Sequence, residues 1–266
     1  MGVRLIASDL DGTLLRTDGT VSARTRSALH QAQEAGIMVV LVSGRHAPAL
    51  RSVAAEAGID GLAVCSNGAI IYDPQQDTIL RHLTLDAAVA RRLVTGLREV
   101  LPDVAFAVER GPTLTWEPPF ARARGAAGAH IPVCEDALEL CTESVTKLIA
   151  WRPEIDSETL VEYTRSIAHD DEITVTYSTP HLIEISLAGV HKAEALEWLS
   201  TERGIHPGEV VAFGDMPNDV AMLRWAGRGV AVANAHPQVL AIADETTCSN
   251  DEDGVARVVE RILKCA

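Results

Sequence analysis

Two aspartates stand two residues apart in Ser8-Asp9-Leu10-Asp11-Gly12-Thr13, directly after a short apolar run. Carboxylates that close repel each other, so they coexist where a cation or a shared proton offsets the repulsion. Asp11-Gly12 alone is also a turn signal, but Asp9 continues the apolar run and serves no turn. A second acidic group follows another apolar run, in Gly214-Asp215-Met216-Pro217-Asn218-Asp219. There Asp215 or Asn218 can cap a following helix, with Pro217 in its first turn. Capping accounts for one acid. Asp9, Asp11, Asp215 and Asp219, if brought to one edge, together have the all-oxygen chemistry that binds Mg²⁺.

Two further segments offer complementary groups. Ser43-Gly44-Arg45 ends the run at 37–42. Ser43 either caps the next helix, or its hydroxyl and nearby backbone N–H groups hold a phosphate; both readings need the same helix start. Lys192 opens a helix, where the positive end of the dipole disfavours a cation. A bound anion or nearby carboxylates would offset that; otherwise the amine points into water.

The elements that position these groups follow from the apolar pattern. Short aliphatic runs at 3–8, 37–42 and 62–65 alternate with amphipathic stretches at 23–35 and 48–57. Strands that are apolar on successive residues suit a parallel sheet with helices on both faces. The same grammar returns after about residue 188, with helices at 191–203, 218–226 and 255–264 and strands at 210–213 and 229–232. Between the halves, runs at 104–108, 113–116, 145–151, 173–177 and 182–187 read as strands, and some alternate polar with apolar. This middle segment fits a one-sided antiparallel sheet with about two helices. Residues 118–129, rich in Ala, Gly and Arg, read as a loop. The expected fold is α/β: a Rossmann-like parallel-sheet core from residues 1–82 and 188–266, interrupted by an α+β domain at 83–187. In open parallel sheets, ligands bind outside the carboxyl ends of the strands, where parallel strands would project Asp9, Asp11, Ser43, Asp215 and Asp219.

Composition narrows the function classes. The chain has 266 residues, 47% apolar and 23% charged, so it can bury a core and is not globally disordered. Its 23 Lys and Arg against 37 Asp and Glu leave a net charge of −14, with no basic block, which argues against a nucleic acid or an anionic membrane as partner. The run at 37–42 is far shorter than the roughly 20 residues that span a bilayer. Asp9 interrupts any signal-peptide stretch, and Ile6 sits where a myristoylation motif needs Ser or Thr; the expected location is cytoplasmic. Five scattered cysteines, none at C-x-x-C spacing, argue against a disulfide framework or a zinc site. No G-x-G-x-x-G follows the first strand and no P-loop is present, which disfavours a dehydrogenase or a P-loop enzyme.

The set Asp9-Leu10-Asp11-Gly12-Thr13-Leu14-Leu15, Ser43-Gly44-Arg45, His191-Lys192 and Gly214-Asp215-x-x-Asn218-Asp219 resembles the haloacid dehalogenase (HAD) superfamily of phosphatases, in order and spacing. The insert between the serine and lysine motifs, with Ser66-Asn67-Gly68-Ala69, is similar to the Cof-type branch with a type IIB cap. Ala193 departs from that pattern, where Cof-type sequences often carry Gly.

The resemblance implies that Asp9 is the nucleophile, forming an aspartyl-phosphate, and that Asp11 protonates the leaving oxygen and then activates water. It implies Mg²⁺ held by Asp9, the backbone carbonyl of Asp11 and Asp215, with Asp219 in support. Gly12, Ser43, Gly44, Lys192 and Asn218 match the phosphate-holding positions, Lys192 also counting as catalytic. Asp11 favours hydrolysis, because the superfamily's ATPases carry Thr there and its phosphonatases Ala. The expected substrate is a small phosphorylated metabolite, with sugar phosphates leading. A sugar phosphomutase is the nearest alternative, and a non-catalytic phosphometabolite-binding module a more distant one. The cap would close over the core and choose the leaving group; Arg45, Arg110, Trp116, Arg122, Arg124 and His181 are candidate contacts, each equally readable as surface charge or core filler.

Overall fold

The structure, a computed structural model, describes residues 2–124, 131–169 and 171–265. The chain separates into two compact units, Met1–Arg81 with His191–Ala266, and the inserted His82–Val190. The chain begins with β1 (Leu5–Asp9), α1 (Ala23–Glu34), β2 (Met38–Val42), α2 (Ala47–Ala57), β3 (Ala63–Cys65), β4 (Ile70–Asp73) and β5 (Thr78–His82). The insert continues with α3 (Ala87–Val100), β6 (Ala105–Arg110), β7 (Thr113–Trp116), α4 (Pro118–Arg124), α5 (Ala137–Leu140), β8 (Lys147–Trp151), α6 (Ser157–Ile167), β9 (Ile173–Thr176) and β10 (Leu182–Leu187). The chain then adds α7 (Lys192–Glu202), β11 (Val210–Gly214), α8 (Val220–Trp225), β12 (Arg228–Ala231), α9 (Pro237–Leu240), β13 (Glu245–Thr246) and α10 (Gly254–Cys265).

The first unit is a sheet of order β13-β12-β11-β1-β2-β3-β4-β5. Pairing is parallel from β13 to β3 and antiparallel between β3 and β4. All five residues of β1 are buried, because helices cover both faces. Leu29 of α1, Leu50 of α2 and Val258 of α10 pack on one face with Ile6 and Phe213. Leu196 of α7 and Met222 of α8 pack on the other with Leu5, Ala7 and Ala212. Helix α1 starts where Ser22 accepts the Thr25 N–H, a capping bond that supplies one of the first-turn donors with a partner. The register aligns Ser8 with Phe213 and Asp9 with Val42. The segments that follow β1, β2 and β11 therefore leave the sheet side by side.

In the inserted unit the sheet order is β7-β6-β8-β10-β9, with antiparallel pairs throughout. Helices α3 and α6 bury Leu93, Leu97 and Leu160 on one face, against Phe106, Leu148 and Ile183. The other face carries a smaller apolar cluster, in which Phe120 packs with Ala105, Ala107, Ile149 and Leu182. That cluster corrects the loop expected at 118–129. Residues 118–124 form α4 instead, opened by prolines at positions where a helix tolerates them and held in place because burying Phe120 outweighs the weak local signal. Residues 125–129 lie outside the described residues. On the same sheet Lys147 is buried with its Nζ 2.6 Å from Glu184 and 3.5 Å from Glu109. No helix among the described residues is long and apolar enough to cross a membrane.

Candidate active site

Asp9 ends β1, Ser43 follows β2 and Asp215 follows β11, and β1 lies between the other two strands. Parallel pairing thus brings residues far apart in sequence to one edge. The fourth segment arrives with α7, packed on the sheet through Leu196 and Leu199, which places Lys192 at the same edge. The Lys192 side chain is wholly buried, and Nζ donates to Asp9 Oδ1 at 2.5 Å and to Asp219 Oδ1 at 2.6 Å. Carboxylates, as one of the two readings required, offset the unfavourable helix dipole.

Asp219 is committed through both oxygens. Its Oδ2 accepts the N–H groups of Asp215 and Met216 at 3.0 Å each. Residues Pro217–Asp219 form a single 3-10 turn before α8, so the capping expected of Asp215 or Asn218 falls to Asp219 reaching back. Asp215 Oδ1 accepts from the Thr13 hydroxyl at 2.6 Å. Gly12 passes beneath it at φ +82°, where an added Cβ would lie 2.5 Å from Asp215 Oδ2. Only a residue without a side chain fits there.

Burial sets the electrostatics. It pushes the Asp9 carboxyl well above its usual range; Lys192 pulls the other way, and Asp219 and Asp215 add to the rise. Asp215 is pushed up to about 6 by burial and then by Asp219. Burial alone would lower Lys192, yet Asp219 and Asp9 hold it above the usual ammonium value. Oxygens of Asp9, Asp215 and Asp219 lie within 4.8 Å of one another, all three residues buried. Three crowded carboxylates against one ammonium, with oxygen as the donor atom, fit a hard divalent cation such as Mg²⁺.

The Asp11 carboxylate stands apart from these three. It is half exposed and takes a two-pronged hydrogen bond from Arg45, Nε to Oδ2 at 2.8 Å and Nη2 to Oδ1 at 2.5 Å. Ser43 is buried, and its Oγ accepts the Arg45 N–H at 3.1 Å. It caps no helix, because α2 begins only at Ala47 with His46 in the cap position. Gly44 lies between Ser43 and Arg45 in the same segment. Asn218 donates from Nδ2 to Asn67 Oδ1 at 3.1 Å. Asn67 had no assigned role in the sequence; its signal is an Asn-Gly pair one residue beyond the end of β3, at the same edge as the other motifs.

Among the candidate substrate contacts, Arg45 is the partner of Asp11 and Arg110 pairs with Glu143. Trp116 packs on Phe120 at 5.5 Å, and His181 Nδ1 meets the Ile155 carbonyl. Arg122 is exposed, and the Arg124 side chain lies outside the described residues.

The family model for haloacid dehalogenase-like hydrolases matches residues 6–259. The phosphatase YwpJ of Bacillus subtilis is 31% identical, over 98% of this chain and 100% of its own length. A 5-amino-6-(5-phospho-D-ribitylamino)uracil phosphatase of the same species, YitU, is 32% identical over 96% of both chains. A solved haloacid dehalogenase-like hydrolase from B. subtilis superimposes with a TM-score of 0.86 at 29% identity, covering 97% of this chain and 99% of its own. A match spanning nearly the whole chain, on the segments that converge at this edge, establishes the family: the chain belongs to the haloacid dehalogenase-like hydrolases, and is a phosphatase of the Cof-type branch.

Proposed function

We propose that this phosphatase hydrolyses monoesters of small phosphorylated metabolites, sugar and polyol phosphates foremost, through a phosphoryl group carried on Asp9. The observation that carries the reading is the Asp9 carboxylate, buried at the end of β1 and hydrogen-bonded to Lys192. A carboxylate that attacks a phosphate dianion must overcome like-charge repulsion, and opposing charge placed at the point of attack lowers that barrier. The phosphorylated ribityl chain named for one relative supports the polyol class.

In the first step an Asp9 oxygen bonds to phosphorus as the ester P–O bond breaks, and Asp11 delivers a proton to the leaving oxygen. In the second, water attacks the phosphorus, Asp11 takes its proton, and inorganic phosphate leaves as Asp9 is restored. To reach the leaving oxygen, Asp11 must let go of Arg45. Lys192 neutralises charge on Asp9 and on the transferred group, while Ser43, Asn218 and the backbone at Gly12 and Gly44 hold phosphate oxygens. Asp9, the Asp11 carbonyl and Asp215 would hold Mg²⁺, which when bound supplies positive charge against the phosphoryl oxygens. Asp219 fixes Lys192 and the turn carrying Asp215. The inserted unit, residues 82–190, is the cap in this reading and selects among leaving groups.

A panel of phosphomonoesters, assayed with Mg²⁺ for release of inorganic phosphate, tests the reaction. Sugar and polyol phosphates should turn over, and Asp9→Asn should abolish release while keeping the wild-type circular dichroism. An isomeric sugar phosphate as product would establish a mutase instead, and undiminished turnover by Asp9→Asn would remove the nucleophile assignment.

A further inference from the structure

The single turn Ser66–Gly68 follows β3 with three consecutive residues in the left-handed region, Ser66 at φ 53°, Asn67 at 57° and Gly68 at 110°. All three are buried. Such a run is costly for residues with side chains and persists only where its surroundings enforce it. Here the surroundings are the phosphatase motifs themselves. The Asn67 N–H donates to the Ser43 carbonyl at 3.0 Å, and the Ser66 N–H to the Arg45 carbonyl at 3.0 Å. Gly68 is pressed on the start of α7, where an added Cβ would lie 2.5 Å from the His191 carbonyl oxygen. Through its side chain, Asn67 then accepts from Asn218. One strained turn thus ties together the serine, lysine and asparagine motifs.

The amide pair is also incomplete. Asn67 and Asn218 are 3% and 8% exposed, and Asn67 Nδ2 and Asn218 Oδ1 are buried without a hydrogen-bond partner among the described residues. Buried polar atoms of this kind normally have partners. Exchanging oxygen for nitrogen in both amides leaves the same balance, one unpaired NH₂ group and one unpaired carbonyl. A phosphate oxygen can take only the donor, and a water or a substrate hydroxyl satisfies the acceptor.

We propose, on the phosphatase reading above, that Asn67 is a positioning residue for the transferred phosphoryl group. It fixes the Asn218 amide and the Ser43 backbone as one oxygen-binding wall, and that wall is completed when phosphate occupies the free NH₂ group.

The test uses the full chain with Mg²⁺. Asn67→Gly keeps the left-handed turn accessible and removes the amide. Asn67→Asp keeps an acceptor for Asn218 but replaces the donor with an anionic oxygen. In both variants kcat/KM should fall about 10- to 100-fold, the effect of a lost hydrogen bond to a charged group. Inhibition by inorganic phosphate should weaken in parallel, more in Asn67→Asp, and the melting temperature of Asn67→Gly, which buries no new charge, should stay close to wild type. Adding Asn67→Gly to Asn218→Ala should cost less than it does in the wild-type background, because the two side chains act as one unit. Wild-type kcat/KM and phosphate inhibition in Asn67→Gly, fully multiplicative losses in the double variant, or losses matched in both single variants by a fall in melting temperature would each overturn the proposal. Asp9→Asn, measured alongside, separates the two readings. If it is inactive while Asn67→Gly is unimpaired, only the role of Asn67 is lost; if it turns over normally, the phosphoryl-carrier mechanism is lost first.

Discussion

At the residue scale, the pocket assigns different environments to carboxylates of the same chemistry. Asp9 is buried against Lys192, Asp219 is locked by an ammonium and two backbone N–H groups, and Asp11 lies in partial solvent with Arg45. The proposed roles divide along those lines, because a group that must pick up and deliver a proton needs freedom that a fully bonded group lacks. Asp11→Asn should lower kcat by about 10²- to 10⁴-fold, the usual contribution of a positioned acid and base, in steady-state phosphate-release assays. Gly12→Ala should drive the new methyl group into Asp215 and strain a backbone held at positive φ. Its expected signature is a large rise in the Mg²⁺ concentration needed for half-maximal activity, read by titrating the metal at saturating substrate.

At the scale of elements, the decisive arrangement is β1 between β2 and β11, with α7 laid on one face of the sheet. Each strand delivers one motif to the same edge, and the helix delivers Lys192 into the gap between Asp9 and Asp219. Removing that one charge leaves both acids buried without their cation, and leaves Asp219 with only its two backbone N–H donors. Lys192→Met should therefore destabilise the fold by about 3–5 kcal/mol, read as a lower urea midpoint in buffer free of divalent cations. An unchanged midpoint would mean that the two carboxylates find other partners. The loop expected at residues 118–129 belongs to this scale as well. Composition spoke for a loop, but α4 forms over residues 118–124 because its Phe120 completes an apolar cluster on the sheet.

For the molecule as a whole, the two units have separate apolar cores, so unfolding need not be a single transition. On the proposed reading, Mg²⁺ would be held by Asp9, Asp11 and Asp215, which all belong to the first unit, so its binding should stabilise that unit alone. At about 100 times its dissociation constant a ligand adds about 2.7 kcal/mol, which for a unit of this size is a rise of about 5–10 °C. Calorimetry with Mg²⁺ and again after EDTA should show one transition moving by that amount and the other staying in place. A net charge of −14 works in the same direction, since a cation that neutralises part of a crowded acidic pocket relieves repulsion in the folded state.

Much of this was legible in the sequence, for a physical reason. Strand and helix periods, turns and the residues at strand ends are encoded within a few positions of one another, so the α/β alternation and the identities of Asp9, Asp11, Ser43, Lys192 and Asp215 could be read along the chain. The family resemblance supplied their expected roles. Pairings across long separations could not be read that way. Lys192 meets Asp9 183 residues away, and Asn218 meets Asn67 151 residues away; both contacts depend on strand order and on side-chain packing at the sheet edge. The turn of the Asp11 carboxylate toward Arg45, the double commitment of Asp219 and the strained backbone of Asn67 were decided there too. Each is a compromise among groups that come within reach only once the sheet has assembled.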